Sequence, residues 1–216
     1  MPDALDRLSS VNAYFTLRHG PAEGAAGRPA ADLRDPAVAG ELFDRAERIL
    51  GTTERRVAVS WVFFEYIARL WAVSLGTAML TGRSVDLDPE RLRISRDGNS
   101  TVLHTAEPVA GGSPIEEVAE RHVEPLVAAW RAHVAPGLLW GNAAASVTSA
   151  GSQLGADADA VVRQTLHHPR LRSALDVDAL ERRERGETIP TIRRRSCCLY
   201  YRTSIGGYCG DCSMTR

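Results

Sequence analysis

Apolar residues recur at helical spacing along most of the chain. Asp35 stands before Pro36, and Val38, Leu42, Ala46 and Ile49 then repeat every three or four positions until Gly51. That pattern predicts a capped helix with proline in its first turn. Thr52 or Thr53 is placed to cap the next segment, which is the most apolar in the chain, from Val57 to Leu80. Glu65 and Arg69 lie inside it four residues apart, the spacing at which they pair on one helix face, and Gly76 is expected to bend or end the helix. Because a charged side chain near a bilayer centre costs about 2.5–3.5 kcal/mol, the segment predicts a buried helix pair and not a membrane span. Ser113-Pro114-Ile115-Glu116 is a helix start with an N-cap, a first-turn proline and a glutamate three residues after the cap. Val118, His122, Leu126, Ala129 and Trp130 then share a face over 114–134, with a kink or break expected near Arg121, since Pro125 removes an amide donor. Further helices are expected at 137–150, 157–167 and 176–185.

Three stretches depart from this periodicity. Residues 19–34, rich in Gly, Ala and Pro, predict a loop. Leu92, Ile94, Val102 and His104 flank Arg96-Asp97-Gly98-Asn99, whose Asp-Gly pair favours a tight reversal and hence a β-hairpin. From Gly186 onward Gly, Pro, Ser, Thr and Cys replace any regular pattern. The expected fold is therefore mainly α with a minor β-hairpin (α+β). It comprises a helical domain over 1–185 and an irregular cysteine-rich segment over 186–216, with no internal repeat.

Composition narrows the chemistry. A chain of 216 residues, 44% hydrophobic and 25% charged, is a globular protein of one domain with room for a small appendage. All 26 basic residues are arginine, which removes Schiff-base and P-loop chemistry, both of which need lysine. A net charge of −1 with no long basic run outside the C-terminal region gives no support to nucleic-acid binding. Met1–Ser10 carries Asp3 and Asp6 and lacks a cationic stretch followed by an apolar run, so it is no secretory signal, and a cytoplasmic protein is expected. The six histidines form no His-Glu-x-x-His pattern. Gly-x-Gly-x-x-Gly, Walker and Gly-x-Ser-x-Gly patterns are also missing, so electrons for any redox reaction are expected from another protein.

The four cysteines, Cys197, Cys198, Cys209 and Cys212, all fall in the last 20 residues as Cys-Cys-x10-Cys-x2-Cys. Without a secretory signal, metal or redox chemistry suits them better than disulfides. Four thiolates satisfy one zinc ion or one [2Fe–2S] cluster. Adjacent cysteines close a zinc knuckle poorly, whereas two irons offer separated ligand positions, so spacing leans toward the cluster and leaves zinc open. Arg193, Arg194, Arg195 and Arg202 stand within a few residues of the thiols, where they would offset a negative charge that grows by one on reduction. Gly206, Gly207 and Gly210 would let backbone amides approach the sulfurs, and Tyr200, Tyr201 and Tyr208 are placed to shield the site or to tie the loop to the helices.

The run Arg194-Arg195-Ser196-Cys197-Cys198-Leu199-Tyr200-Tyr201-Arg202 through Gly206-Gly207-Tyr208-Cys209-Gly210-Asp211-Cys212 resembles the C-terminal signature of the FhuF-like ferric siderophore reductases. A second stretch, Leu138-Leu139-Trp140-Gly141-Asn142-Ala143-Ala144-Ala145-Ser146, is similar to one that these reductases share with part of the aerobactin-type siderophore synthetases. The resemblance implies that Cys197, Cys198, Cys209 and Cys212 ligate a [2Fe–2S] cluster. It also implies that the protein passes one electron to siderophore-bound iron(III), releasing iron(II) in the cytoplasm, with no catalytic residue beyond the cluster. It gives the helical domain a siderophore-binding role and makes Trp140 and Asn142 substrate-binding candidates, with core packing of Trp140 and helix capping by Asn142 as the alternative, while charge beside the thiols adds Arg194, Arg195 and Arg202. The substrate would be a ferric siderophore of the hydroxamate type, and the donor a ferredoxin or a flavin-dependent reductase. Ser213 stands where the family often has proline, a departure that bears on loop rigidity and not on the ligands. The alternatives are an iron–sulfur or zinc sensor without turnover, and a siderophore-binding protein whose cysteine tail is structural.

Overall fold

The computed structural model describes residues 1–186 and 192–215. Residues 187–191 and Arg216, which belong to the expected C-terminal segment, lie outside the described residues. The chain runs through α1 (Pro2–Ser9), β1 (Leu17–His19), α2 (Pro21–Gly24), β2 (Arg28–Pro29), α3 (Pro36–Leu50) and α4 (Arg55–Thr81). The hairpin β3 (Arg93–Asp97) and β4 (Ser100–Thr105) follows, then a π-helical stretch, Ile115–Val123, that runs into α5 (Glu124–Trp130). α6 (Pro136–Leu154), α7 (Asp159–Leu166), α8 (Pro169–Ser173) and α9 (Val177–Glu184) complete a mainly helical architecture with a small sheet.

α4 is the axis of the molecule. A helix apolar on every side has to be covered on every side, and α1, α3, α6, α7 and the π-helical stretch all pack on it. Phe63, Ile67, Leu70, Trp71 and Leu75 keep no exposed surface, and each such burial contributes about 1.5–3 kcal/mol. By length and composition α4 is apolar enough to cross a membrane, yet 89% of its most apolar window is buried inside the protein. The expected burial is observed, but the expected pair of helices is one unbroken helix. Gly76 does not bend or end it, because the missing side chain makes room for Leu8 of α1. The helix stops instead at Gly82 in the left-handed conformation. Its N-terminus also differs, with Glu54 as the capping residue and Thr52 Oγ1 accepting from the Glu54 amide at 3.2 Å.

The other helix signals are observed. Asp35 caps α3 by accepting from the amides of Ala37 and Val38 at 2.7 and 3.2 Å. Ser113 and Glu116 exchange two hydrogen bonds, the amide of each donating to the side chain of the other at 2.6 and 3.3 Å. The disruption expected from Pro125 is spread over the nine residues Ile115–Val123 as π-helical bonding, and Pro125 itself sits in the first turn of α5.

The stretch 19–34 is no open loop. β1 runs parallel to β4 and β2 antiparallel to β3, giving the sheet order β1-β4-β3-β2 in place of an isolated hairpin. Ala30 N and Ala31 N donate to Leu92 O and Pro89 O at 2.8 Å, so this backbone is held by the β3 side of the sheet. A two-stranded hairpin is marginal alone, and these short edge strands widen it.

Candidate metal centre

The cysteine loop is stitched to the helical body before it reaches its first thiol. Asp176 N donates to Arg193 O at 2.8 Å and Arg195 N to Ala174 O at 2.9 Å, so 193–195 pairs with the α8–α9 connection. Ser196 Oγ then donates to Gly137 O at 3.1 Å, and its hydroxyl lies where a Cβ on Gly141 would be. Only glycine at that α6 position lets the loop lie this close. Ser60 Oγ of α4 donates to Cys198 O at 2.7 Å. Leu199 follows at φ 66°, the single non-glycine positive φ among the described residues. That left-handed residue turns the chain so that Leu199 N donates to Cys197 Sγ at 3.3 Å. The loop is pinned again when Ser204 N donates to Leu50 O at 3.2 Å, and its ends are joined where Arg194 N donates to Asp211 O at 3.2 Å.

Cys198 Sγ and Cys209 Sγ stand 3.6 Å apart. Two thiolates on one tetrahedral metal with bonds of about 2.3 Å are separated by about 3.8 Å, so this pair already has the spacing of two ligands of one metal. Cys212 is buried, whereas Cys197, Cys198 and Cys209 are partly exposed. Among the described residues no three His, Cys, Asp or Glu side chains surround a single point that a lone ion would occupy. One close thiol pair, in a segment that carries two further thiols, is compatible with either four-thiolate site, one zinc ion or one [2Fe–2S] cluster.

The electrostatics favour thiolate at Cys198, whereas burial pushes the Cys197 thiol up. Cys198 is pushed down to about 6, first by the hydrogen bond it shares with Cys209, then by the amide of Tyr200 and the charge of Arg194, against its own burial. The same shared hydrogen bond, with burial, pushes the Cys209 thiol up. Arg194 is 4% exposed. Burial opposes its charge, but the Asp211 carboxylate, bonded to Nε at 2.7 Å, more than offsets this, and Cys198 and Cys209 add to the effect.

A cavity of about 350 Å³ opens beside the Cys198–Cys209 pair. Tyr14, Trp61, Phe64, Tyr200 and Tyr208 make its walls aromatic, and Glu65 and Arg194 are its charged groups. Glu65 pairs with Arg69 at 2.8 Å, as their spacing predicted, and also accepts from Thr101 N at 2.8 Å, anchoring α4 to the sheet. The Arg69 guanidinium lies 4.2 Å from the Tyr14 ring centroid, which holds that ring in the cavity wall.

The other candidate residues are distributed unevenly. Arg194 lines the cavity. Arg195 and Arg202 are exposed beside the loop, and Arg202 Nε pairs with Glu54 at 2.9 Å. Trp140 is 5% exposed and stacks on His168, with centroids 5.5 Å apart. Asn142 has no exposed surface: its Nδ2 donates to Ser60 O and Oγ at 3.1 and 3.0 Å, and its Oδ1 accepts from Arg194 at 2.6 Å. Sequence reasoning passed over Ser60, Trp61, Phe64 and Asp211. The signals were a serine inside the most apolar helix and an aspartate between two cysteines.

Residues 194–212 match the family model of the FhuF 2Fe-2S C-terminal domain, so this short segment is FhuF-like and its cofactor is a [2Fe–2S] cluster. No curated protein matches the chain.

Proposed function

We propose that the protein is a cytoplasmic ferric siderophore reductase in which Cys197, Cys198, Cys209 and Cys212 hold the cluster and the adjacent aromatic cavity seats the ferric complex. When bound, a [2Fe–2S] cluster supplies electrons one at a time. The observation that carries the reading is the position of the Cys198–Cys209 pair in the wall of an aromatic cavity, within the segment that matches the FhuF domain. A sensor has no need of such a vessel beside its thiols.

The chain's own residues position, enclose and balance charge. Trp61, Phe64 and Tyr208 offer flat apolar faces to the organic periphery of a chelate. The loop pinned by Ser60 and Ser204 keeps the thiols at that wall. One electron converts iron(III) to iron(II), which hard oxygen donors hold less tightly, and protons taken up by the vacated oxygens complete the release. An external protein supplies each electron, a ferredoxin or a flavin-dependent reductase by the reading above. Arg195 and Arg202 stand at the loop's exposed edge, where an anionic donor or substrate would approach. The burial of Trp140 and Asn142 gives them a supporting part behind the loop.

The test is anaerobic. Purified protein should be red-brown with about two irons and two sulfides, and reduced protein should show the rhombic paramagnetic signal of a half-reduced iron pair. Mixed with a ferric hydroxamate, it should lose that signal as iron(II) appears in a ferrozine trap, one per electron. The trap draws off a product that siderophore affinity for iron(III) would otherwise oppose. Redox-inert gallium complexes should quench tryptophan fluorescence, and Trp61→Phe should remove most of that change. Stoichiometric zinc, or fully loaded protein that reduces no hydroxamate, catecholate or carboxylate complex, would leave the sensor reading in its place.

A further inference from the structure

Among the arginines around the cysteine loop, Arg194 is unlike the rest. Arg193, Arg195 and Arg202 are exposed, whereas the Arg194 side chain is 3% exposed. Its guanidinium is fixed from two directions. Nη1 donates at 2.6 Å to Asn142 Oδ1 of α6, and Nε donates at 2.7 Å to Asp211 Oδ2, between the last two cysteines. The Phe64 ring lies under it, 5.9 Å from centroid to Cζ. Asn142 is itself locked by Ser60, whose hydroxyl holds Cys198 O at 2.7 Å. One continuous set of bonds therefore ties a buried cation to the backbone carbonyl of Cys198 and to the carboxylate that lies between Cys209 and Cys212.

Burying a guanidinium is costly, and an ion pair in the interior is often no more stabilising than an apolar substitute. A loop that only needed fastening would not require a charge here. Charge matters where charge changes: adding an electron to the cluster makes it one unit more negative, and a fixed positive group favours that state. Screening by solvent weakens exposed arginines, while a buried one acts through a lower dielectric. The opposed carboxylate of Asp211 acts in the reverse sense.

We infer that Arg194, aimed by Asn142 and opposed by Asp211, sets the reduction potential of the cluster held by this loop, with Asn142 as a positioning residue. This rests on the [2Fe–2S] reading above.

The experiment is a spectroelectrochemical titration of cluster-loaded wild type, Arg194→Gln, Asp211→Asn and Asn142→Ala, with no siderophore present. Arg194→Gln should lower the reduced-to-oxidised ratio at the wild-type midpoint about tenfold, which is about 59 mV for a one-electron couple. Asp211→Asn should raise that ratio, and Asn142→Ala, which frees the guanidinium but keeps both charges, should lower it by less than Arg194→Gln. Opposite shifts are the signature of electrostatics, because a merely fastening role would lower cluster occupancy in every variant and leave the midpoint of the loaded fraction in place. Equal midpoints, or shifts of one sign for Arg194→Gln and Asp211→Asn, would overturn the inference. If Arg194→Gln takes up no cluster, the sign of the Asp211→Asn shift decides. Wild type that assembles no cluster would overturn both this inference and the reading beneath it.

Discussion

His122 shows how one buried side chain makes the fold sensitive to pH. It is 3% exposed, accepts or donates with Tyr66 Oη at 2.9 Å and faces Leu87 O at 2.7 Å. The carbonyl can only accept, so Nε2 carries the proton and Nδ1 accepts from the tyrosine. Burial pushes its pKa down to about 4, against the pull of Leu87 O and Asp88 and with the push of Arg121 and Arg34. Between about 6.5 and 4 the unfolded chain therefore binds a proton that the folded chain refuses, so stability falls as pH falls through that window. The loss is on the order of 3 kcal/mol at its limit. Melting temperature measured from pH 7.5 to 4.5 should decline, and His122→Gln should flatten that decline at some cost in stability at neutral pH. Asn142 makes a second case. Asn142→Ala removes a hydrogen bond to a charged group, leaving Arg194 Nη1 without its Asn142 acceptor while Nε keeps Asp211, which costs about 1.5–3 kcal/mol. Amide exchange should quicken in 193–212 while the centre of α4 stays protected.

The contact between α6 and the cysteine loop is an arrangement of elements that one atom can disturb. Gly141→Ala improves helix propensity by about 1 kcal/mol while placing a methyl group against Ser196. Thermal stability of the helical body should hold or rise and iron content should fall; loss of both together would mean that the loop and the body form one unit. Much of this element structure was readable in advance. Asp35-Pro36, the Ser113–Glu116 exchange and the Glu65–Arg69 spacing are local signals, and local signals survive folding. What misled were residues whose reason is tertiary. Gly76 accommodates Leu8, and a sequence window of one helix contains no trace of the other. The backbone of 19–34 found β3 and β4 as partners far along the chain. The spacing of the cysteines pointed to metal or redox chemistry and left zinc open beside the cluster, whereas the 3.6 Å approach of Cys198 to Cys209 is a tertiary contact that spacing does not contain. Asn142 stood out in the sequence, and only the fold shows it reaching Arg194, 52 residues later.

The molecule as a whole is nearly neutral, with a net charge of −1, so any steering of partners has to come from the distribution of charge and apolar surface. The exposed large apolar side chains are concentrated at the C-terminal loop. Ile205, Tyr208 and Met214 are 62%, 64% and 52% exposed and make up three of the five exposed large hydrophobics among the described residues. Arg193, Arg195 and Arg202 are exposed around them. A protein donor that delivers electrons to this loop would meet an apolar contact rimmed by positive charge, the arrangement that sets encounter rate more than final affinity. Exposed charges are screened over about 10 Å at 0.1 M ionic strength. Replacing Arg193 and Arg195 together with glutamine should therefore slow reduction of the loaded protein by an acidic ferredoxin severalfold at low salt. The two rates should converge as salt rises toward 0.5 M. Arg194 is left in place, so the cluster potential should not change, and stopped-flow rates at matched potential isolate the encounter. Equal rates for variant and wild type at low salt would show that these arginines play no part in donor docking.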